Sequence, residues 1–302
     1  MSDDTVVSDD TVVSDDTVVS DASTWREVLA EATATLGDAR EARFICEHAS
    51  GLDATEFTDA LGTAVSQRMG LHVQNMVRRR LAGEPLQYVL GRWAFRHLDL
   101  LVDRRVLIPR PETELVAQVA LEFAAAVHPN RVVVDLGTGS GAIGLSLAHE
   151  LPLAGTTVWL TDASPDALDV ARANSAGIGR AGANVRVALG DWYAALPQSL
   201  CGAVDVIVAN PPYIAHNDNE VAASVADYEP HVALFSGDDG LAALRTVIDG
   251  ARQWLSANGV LVLEIGHRQG GAVRELLTTA GLRDVTILHD LAGRDRIATA
   301  RV

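Results

Sequence analysis

The chain has 302 residues, 48% of them hydrophobic and 21% charged, which allows one large domain plus a small one around a real core. Its formal net charge is −16, and an acidic body disfavours non-specific binding to nucleic acid. Every basic residue is arginine, which excludes a Walker lysine, a Schiff-base lysine and a lysine general base.

Two cysteines, Cys46 and Cys201, lie far apart, so neither a disulfide framework nor a cysteine-based metal site is expected, and the histidines show no close ligand spacing. No apolar run approaches membrane-spanning length. The first twenty residues lack the basic and apolar character of a signal peptide, so a reduced, cytoplasmic protein is expected.

Ser2 to Val19 is three copies of Ser-Asp-Asp-Thr-Val-Val, followed by Ser20-Asp21. Six residues are too few for a folding repeat and the aspartates repel one another, so residues 1–21 read as a disordered acidic tail. Ser23 to Gly83 reads as helical. Ser23 or Thr24 caps a helix through Trp25, Val28, Leu29 and Ala32. Apolar spacing recurs around Phe44, Ile45 and Ala49, then from Val65 through Leu71, Val73, Met76 and Val77 to Leu81. Gly51, Gly62 and Gly83 mark breaks, and Arg78-Arg79-Arg80 reads as a solvated helix face. These segments make a small helical domain over residues 22–85.

Leu86 to Leu107 changes period. Tyr88-Val89-Leu90, then Trp93 and Phe95, then Leu98, Leu100 and Val102 read as strands with a turn near Arg96-His97, a β-hairpin linker over residues 86–109. The two prolines of Ile108-Pro109-Arg110-Pro111-Glu112-Thr113-Glu114 stiffen the next segment, and Thr113 is expected to start a helix over Leu115 to Val127.

From Arg131 strands and helices alternate. Strands are expected at Val132–Leu136, Thr157–Thr161, Val185–Leu189, Val204–Ala209, Val260–Ile265, Val285–Leu288 and Ile297–Arg301. Helices are expected at Ala142–Glu150, Pro165–Asn174, Leu241–Leu255 and Gly271–Ala280. The pattern predicts an α/β fold, a doubly wound and mostly parallel sheet over residues 110–302.

Four features fall at the carboxyl ends of these strands, where open α/β sheets bind ligands. Asp135-Leu136-Gly137-Thr138-Gly139-Ser140-Gly141 follows the first strand and opens a helix whose amides favour an anion. Gly139, Gly141 and Gly144 also satisfy G-x-G-x-x-G, so the loop suits either a nicotinamide cofactor or S-adenosylmethionine. Asp162 ends the second strand and suits ribose hydroxyls in either cofactor. After the third strand, Asp191 is placed to accept from an adenine amino group and Trp192 to lie against the base. After the fourth comes Asn210-Pro211-Pro212-Tyr213. Neither proline can continue a central strand, and the residue before a proline is held extended. The carbonyls of Asn210 and Pro211 are thus placed to accept both hydrogens of a planar NH2 group while Tyr213 covers its face. The plainer reading is a turn with a chance tyrosine. Clamped NH2 chemistry favours a methyl donor over a hydride donor.

The sequence resembles the release factor glutamine methyltransferases. The stretches that carry the likeness are Val106 through Glu114, Asp135 through Gly141, Asn210 through Ile214, Tyr228-Glu229-Pro230 and Leu263-Glu264-Ile265-Gly266. It extends from Leu86 to the C-terminus, and the helical segment matches only in type. The Asn-Pro-Pro-Tyr motif alone is shared with DNA adenine methyltransferases, which keeps an adenine-N6 methyltransferase as the alternative. The resemblance implies a helical N-terminal substrate-recognition domain, a hairpin linker and a Rossmann-like class I methyltransferase domain. It implies S-adenosylmethionine as cofactor, and peptide chain release factors, methylated on the glutamine of their Gly-Gly-Gln loop, as protein substrate. It places the methyl donor against Gly137, Thr138, Gly139, Ser140, Gly141, Asp162, Asp191, Trp192 and the edge of Asn210. The glutamine amide falls at Asn210, Pro211, Pro212 and Tyr213. Glu264 and His267, at another strand end, are reserve candidates.

Overall fold

A computed structural model of the chain describes residues 23–127, 129–216 and 227–302. The acidic repeat expected to be disordered lies outside the described residues. The chain divides into two compact units, one ending at Leu81 and one running from Ala82 to Val302.

The first unit is helical: α1 (Trp25–Leu36), α2 (Ala39–Ser50), α3 (Ala54–Asp59) and α4 (Gln67–Leu81). Thr24 caps α1 in a capping box with Glu27, and Asp38 caps α2 by accepting from the amides of Arg40 and Glu41. Gly37 closes α1 at φ 71°, a left-handed conformation that glycine adopts without steric cost. Trp25, Ile45, Phe57, Val73 and Met76 fill the core, while Phe44, Leu71 and Leu81 remain exposed. The arginine run is not purely a solvated face. Arg80 reaches Glu41 of α2 through two hydrogen bonds of 2.6 and 2.9 Å, so the third arginine ties α4 to α2.

The second unit opens with α5 (Leu86–Leu90), where a strand was expected. The Pro85 carbonyl accepts from the amides of Tyr88 and Val89, and Gly91 ends the turn at φ 70°. A run of adjacent apolar residues carries no period, so packing decided its conformation. The hairpin proper is β1 (Arg92–Phe95) against β2 (Leu98–Leu101), antiparallel, with Arg96 and His97 at its turn. Arg96 sits at φ 50° and sends its guanidinium onto Glu150 at 2.6 and 2.7 Å and onto Gln118 at 2.9 Å. This half-buried fork anchors the hairpin turn to two helices. At the hairpin's other strand, Asn174 accepts from the Leu101 amide and donates to the Leu101 and Ser140 carbonyls.

Helix α6 spans Pro111–Ala125 and starts earlier than expected. Arg110 occupies the N-cap position and Pro111 the first helical position, where its missing N–H costs nothing. Thr113 is therefore not a cap. It lies inside the first turn, 3% exposed, with its hydroxyl free for a tertiary partner.

Then follow β3 (Arg131–Leu136), α7 (Ala142–Glu150), β4 (Thr156–Asp162), α8 (Pro165–Gly177), β5 (Val185–Leu189), β6 (Val204–Ala209), α9 (Ala242–Trp254), β7 (Leu255–Glu264), α10 (Gly270–Thr279), β8 (Arg283–His289) and β9 (Asp295–Arg301). The sheet order is β5-β4-β3-β6-β7-β9-β8. Strands β5, β4, β3, β6 and β7 run parallel, and β9 is antiparallel to both β7 and β8. The central strands read as near-continuous apolar runs, interrupted by Asp135 in β3 and Asp205 in β6, because both faces are covered. Val133, Val206, Val208 and Val262 pack on the side of α6, α7 and α8. Val134, Leu136, Ile207 and Leu261 pack on the side of α9 and α10. The chain winds outward from β3 in one direction and from β6 in the other, which opens a crevice at their carboxyl ends.

Gly144 of α7 has no room for a side chain. A Cβ there would lie 2.2 Å from Leu160 and 3.0 Å from the Asp135 carboxylate. Gly144→Ala gains helix propensity but overpacks this contact, so a net destabilisation of about 1–3 kcal/mol is expected. Urea unfolding of the purified variant measures it.

Candidate active site

Asp135 organises the glycine loop. Its buried Oδ2 accepts from Thr138 Oγ1 at 2.6 Å and from the Gly144 amide at 2.9 Å, folding the loop back over the start of α7. Gly137, Gly139 and Gly141 take φ of 70°, 55° and 88°, a region that other residues enter only with strain. A Cβ on Gly137 would sit 3.3 Å from the Trp192 ring, whereas one on Gly139 would meet nothing within 4 Å. Gly137 thus carries the indole directly on its backbone, and Gly139 faces open space.

Asp162 accepts from the Gly139 amide with Oδ2 and from the Ser164 amide with Oδ1, both at 2.9 Å. Each oxygen keeps a second acceptor site, so the carboxylate is oriented but not used up. Trp192 adopts φ 45°, costly for a bulky residue at about 1–3 kcal/mol, and the strain turns its ring onto the loop. Asp191 is exposed at the same edge.

These elements enclose a cavity of about 670 Å³. Gly137, Gly139, Asp162, Asp191, Trp192, Asn210 and Pro212 all line it. Thr138, Ser140 and Gly141 do not. The Thr138 hydroxyl is spent on Asp135, the Ser140 carbonyl accepts from Asn174, and the Gly141 amide donates to the Thr138 carbonyl. Pro211 is buried, and neither it nor Tyr213 is among the cavity-lining residues. His267 is exposed on the loop after β7.

Behind the cavity wall lies a chain of polar groups. Asn210 Nδ2 donates to Thr113 Oγ1 at 3.3 Å, and Thr113 Oγ1 donates to Glu264 Oε2 at 2.7 Å. Tyr213 Oη donates to Glu264 Oε1 at 3.3 Å and lies 3.4 Å from Arg296 Nη1. The Tyr213 carbonyl accepts from Gln269 Nε2 at 3.0 Å. Tyr213 is thus held at its hydroxyl and at its backbone carbonyl. Burial pushes the Glu264 carboxyl up to about 6, against the opposing pull of Thr113, Arg296 and Tyr213. Burial also pushes the Tyr213 phenol well above its ordinary range. A second buried carboxylate, Glu229, accepts from the Ile108 amide at 3.1 Å and from Arg110 Nη2, which fixes the stiff segment before α6.

A family model described as Methyltransferase small domain matches residues 115–227, and one described as PrmC N-terminal domain matches residues 27–91. A release factor glutamine methyltransferase from Burkholderia pseudomallei is 40% identical over 268 residues, 88% of this chain and 92% of the relative. The chain belongs to the release factor glutamine methyltransferase family. A member from Deinococcus radiodurans is 36% identical over 282 residues, 91% of this chain and 98% of that relative. A solved methyltransferase from Pyrococcus furiosus shares the fold, at 18% identity and a TM-score of 0.50, covering 76% of this chain and 98% of its own. Membership decides between the readings that the glycine pattern and the Asn-Pro-Pro-Tyr motif left open. It favours neither a nicotinamide oxidoreductase nor an adenine-N6 methyltransferase.

Asn174 was not foreseen as a site-building residue; Thr113 was expected only within the stiff Pro109–Glu114 stretch near the site and as a helix start, Glu229 only within a stretch that carries the resemblance, and Glu264 only as a reserve. A polar side chain within an apolar helix face, as at Thr113, and an acidic residue closing the apolar run Val260–Leu263 were the available signals. Among the described residues no cluster of His, Cys, Asp or Glu is placed to hold a metal ion, and no helix is long and apolar enough to cross a membrane.

Asp135 gives a pH prediction. Burial raises its carboxyl from 3.8 to about 6, reinforced by the Asp162 charge and opposed by the bonds from Thr138 and Gly144. The folded chain therefore holds this proton more tightly than the unfolded one, and this group's contribution to stability falls as pH rises through that window. The full cost, above the folded value, is about 3 kcal/mol. Asp135→Asn keeps an acceptor and cannot ionise. Its stability relative to the parent is expected to rise by about that amount between roughly pH 4 and pH 7, as urea midpoints at each pH would show.

Proposed function

We propose that this chain transfers a methyl group from S-adenosylmethionine to the side-chain amide nitrogen of the glutamine in the Gly-Gly-Gln loop of peptide chain release factors. One observation carries the reading: Asn210 lies on the wall of the same cavity as Gly137, Gly139, Asp162 and Trp192.

The residues present fit the cofactor. Gly139 leaves open the space a Cβ would fill, Asp162 retains acceptor capacity on both oxygens, and the cavity volume suits a ligand of this size. Gly137, Gly139 and Asp162 would hold the amino-acid and ribose parts, and Asp191 and Trp192 the adenine. When bound, S-adenosylmethionine supplies a methyl group already activated on a sulfonium sulfur.

An amide nitrogen is a poor nucleophile because its lone pair is delocalised into the carbonyl. Asn210 Oδ1 accepts from the substrate NH2, orienting it and favouring the positive charge that develops on nitrogen. Positioning is then the main task, and good alignment is worth roughly 7–11 kcal/mol. No general base is required, because the nitrogen becomes strongly acidic once it is cationic and its proton leaves to solvent. Tyr213, held by Glu264 and Gln269, backs the amide site. We assign release-factor recognition to the helical unit and place the reaction in the cytoplasm. Incubating the chain with a release factor and methyl donor, then mapping peptides by mass spectrometry, should find one methyl group, 14 Da as an approximate added mass, on the Gly-Gly-Gln glutamine. Methylation of polynucleotide and not of the release factor would overturn the reading.

A further inference from the structure

We propose that Thr113 and Glu264 act as a polarity lock on Asn210, holding the oxygen of its carboxamide toward the cavity. The proposal rests on the methyl-transfer reading above and makes both residues positioning residues for that reaction.

A carboxamide has nearly the same shape at its two ends, so its orientation is decided by the hydrogen bonds around it. Turned the wrong way, Asn210 would present N–H to the substrate NH2. Its immediate neighbours cannot settle the matter, since Pro211 and Pro212 have no backbone N–H to offer. The decision comes from α6 and β7. Thr113 has a single hydroxyl proton, and it is committed to Glu264 Oε2 at 2.7 Å. An ionised carboxylate can only accept, so the Thr113 oxygen is left as an acceptor toward Asn210. Only the NH2 end of Asn210 satisfies it, at 3.3 Å. The oxygen end is then directed away from Thr113. Threonine suits the task because its branched Cβ restricts χ1 in a helix and the site is buried.

The lock has a condition, which is that Glu264 is ionised. The groups facing it are Thr113 and Glu112 from α6, Tyr213 from the loop after β6, and Arg296 from β9. Arg296, itself 3.6 Å from Asp290, favours the ionised form, and Glu112 opposes it. Burial dominates and places the carboxyl at about 6. Once protonated, Glu264 can donate to Thr113. The threonine proton is then free to turn to Asn210, and the inverted carboxamide becomes equally acceptable.

Two measurements on the full chain test this. In release-factor assays at saturating methyl donor, Thr113→Val is expected to lower kcat by at least about tenfold, with donor affinity by calorimetry unchanged and Thr113→Ser restoring most of the rate. The parent's kcat should fall on the acid side of about pH 6, and Glu264→Gln should lack that limb. In the second, the Asn210 side-chain NH2 resonances, assigned by their loss in Asn210→Ala, should shift with a midpoint near pH 6 in the parent and not in Glu264→Gln. Wild-type turnover in Thr113→Val, or an unchanged acid limb in Glu264→Gln, overturns the lock. If the parent methylates no release factor, the functional reading fails, and the resonance titration still decides the lock: resonances that do not move overturn it.

Discussion

Asn210→Ala is expected to lower kcat by about 10²–10³-fold while leaving methyl-donor affinity within about threefold. Asn210 is the polar residue that the Asn-Pro-Pro-Tyr segment contributes to the cavity wall, where Pro212 is the other contributor. In the proposed role its loss removes an acceptor aimed at the reacting nitrogen, so the penalty is expected on the transition state rather than on binding of the donor. In the proposed arrangement the donor is held elsewhere, by the glycine loop and Asp162. Calorimetry with S-adenosylmethionine and single-turnover transfer to a release factor separate the two effects. A parallel loss of donor affinity and turnover would count against the role given to Asn210.

Asp162→Ala should show the reverse pattern. Charge-assisted hydrogen bonds to a bound hydroxyl are worth about 1.5–3 kcal/mol, so donor affinity should fall roughly 10–150-fold. Turnover at saturating donor should stay close to that of the parent. The carboxylate also holds the amides of Gly139 and Ser164, so the alanine variant loosens the loop as well as removing a ligand. Asp162→Asn separates these contributions. It keeps one acceptor for the backbone and should lose less affinity than alanine. An alanine variant with undiminished donor affinity but slow transfer would show that Asp162 serves the chemistry and not the cofactor.

The helical first unit and the sheet of the second were legible because their signals are local. Thr24 and Glu27 spell a capping box within four residues. The runs at Val132–Leu136 and Val204–Ala209 are apolar apart from Asp135 and Asp205 because helices cover both faces of the sheet. Glycines at positive φ, and a proline pair that ends a strand, leave their mark at the position where they act. Where the local signal was weak, packing ruled. Tyr88-Val89-Leu90 is apolar without a period and became a helical turn, and Thr113 lies inside a helix that Pro111 begins. The antiparallel placement of β9 between β7 and β8 likewise had no local mark.

The sequence by itself determined the order of the elements, the family, and the strand ends at which Gly137, Asp162, Trp192 and Asn210 emerge. The tertiary structure decided which of those residues share a cavity wall and which way the Asn210 amide points. Thr113, Asn210 and Glu264 come from three separate elements, and only the packing of α6 across β6 and β7 brings them within hydrogen-bonding distance. A hydrogen bond depends on a few tenths of an ångström and on the direction of one proton, and residues so far apart in the chain carry no pattern that records it.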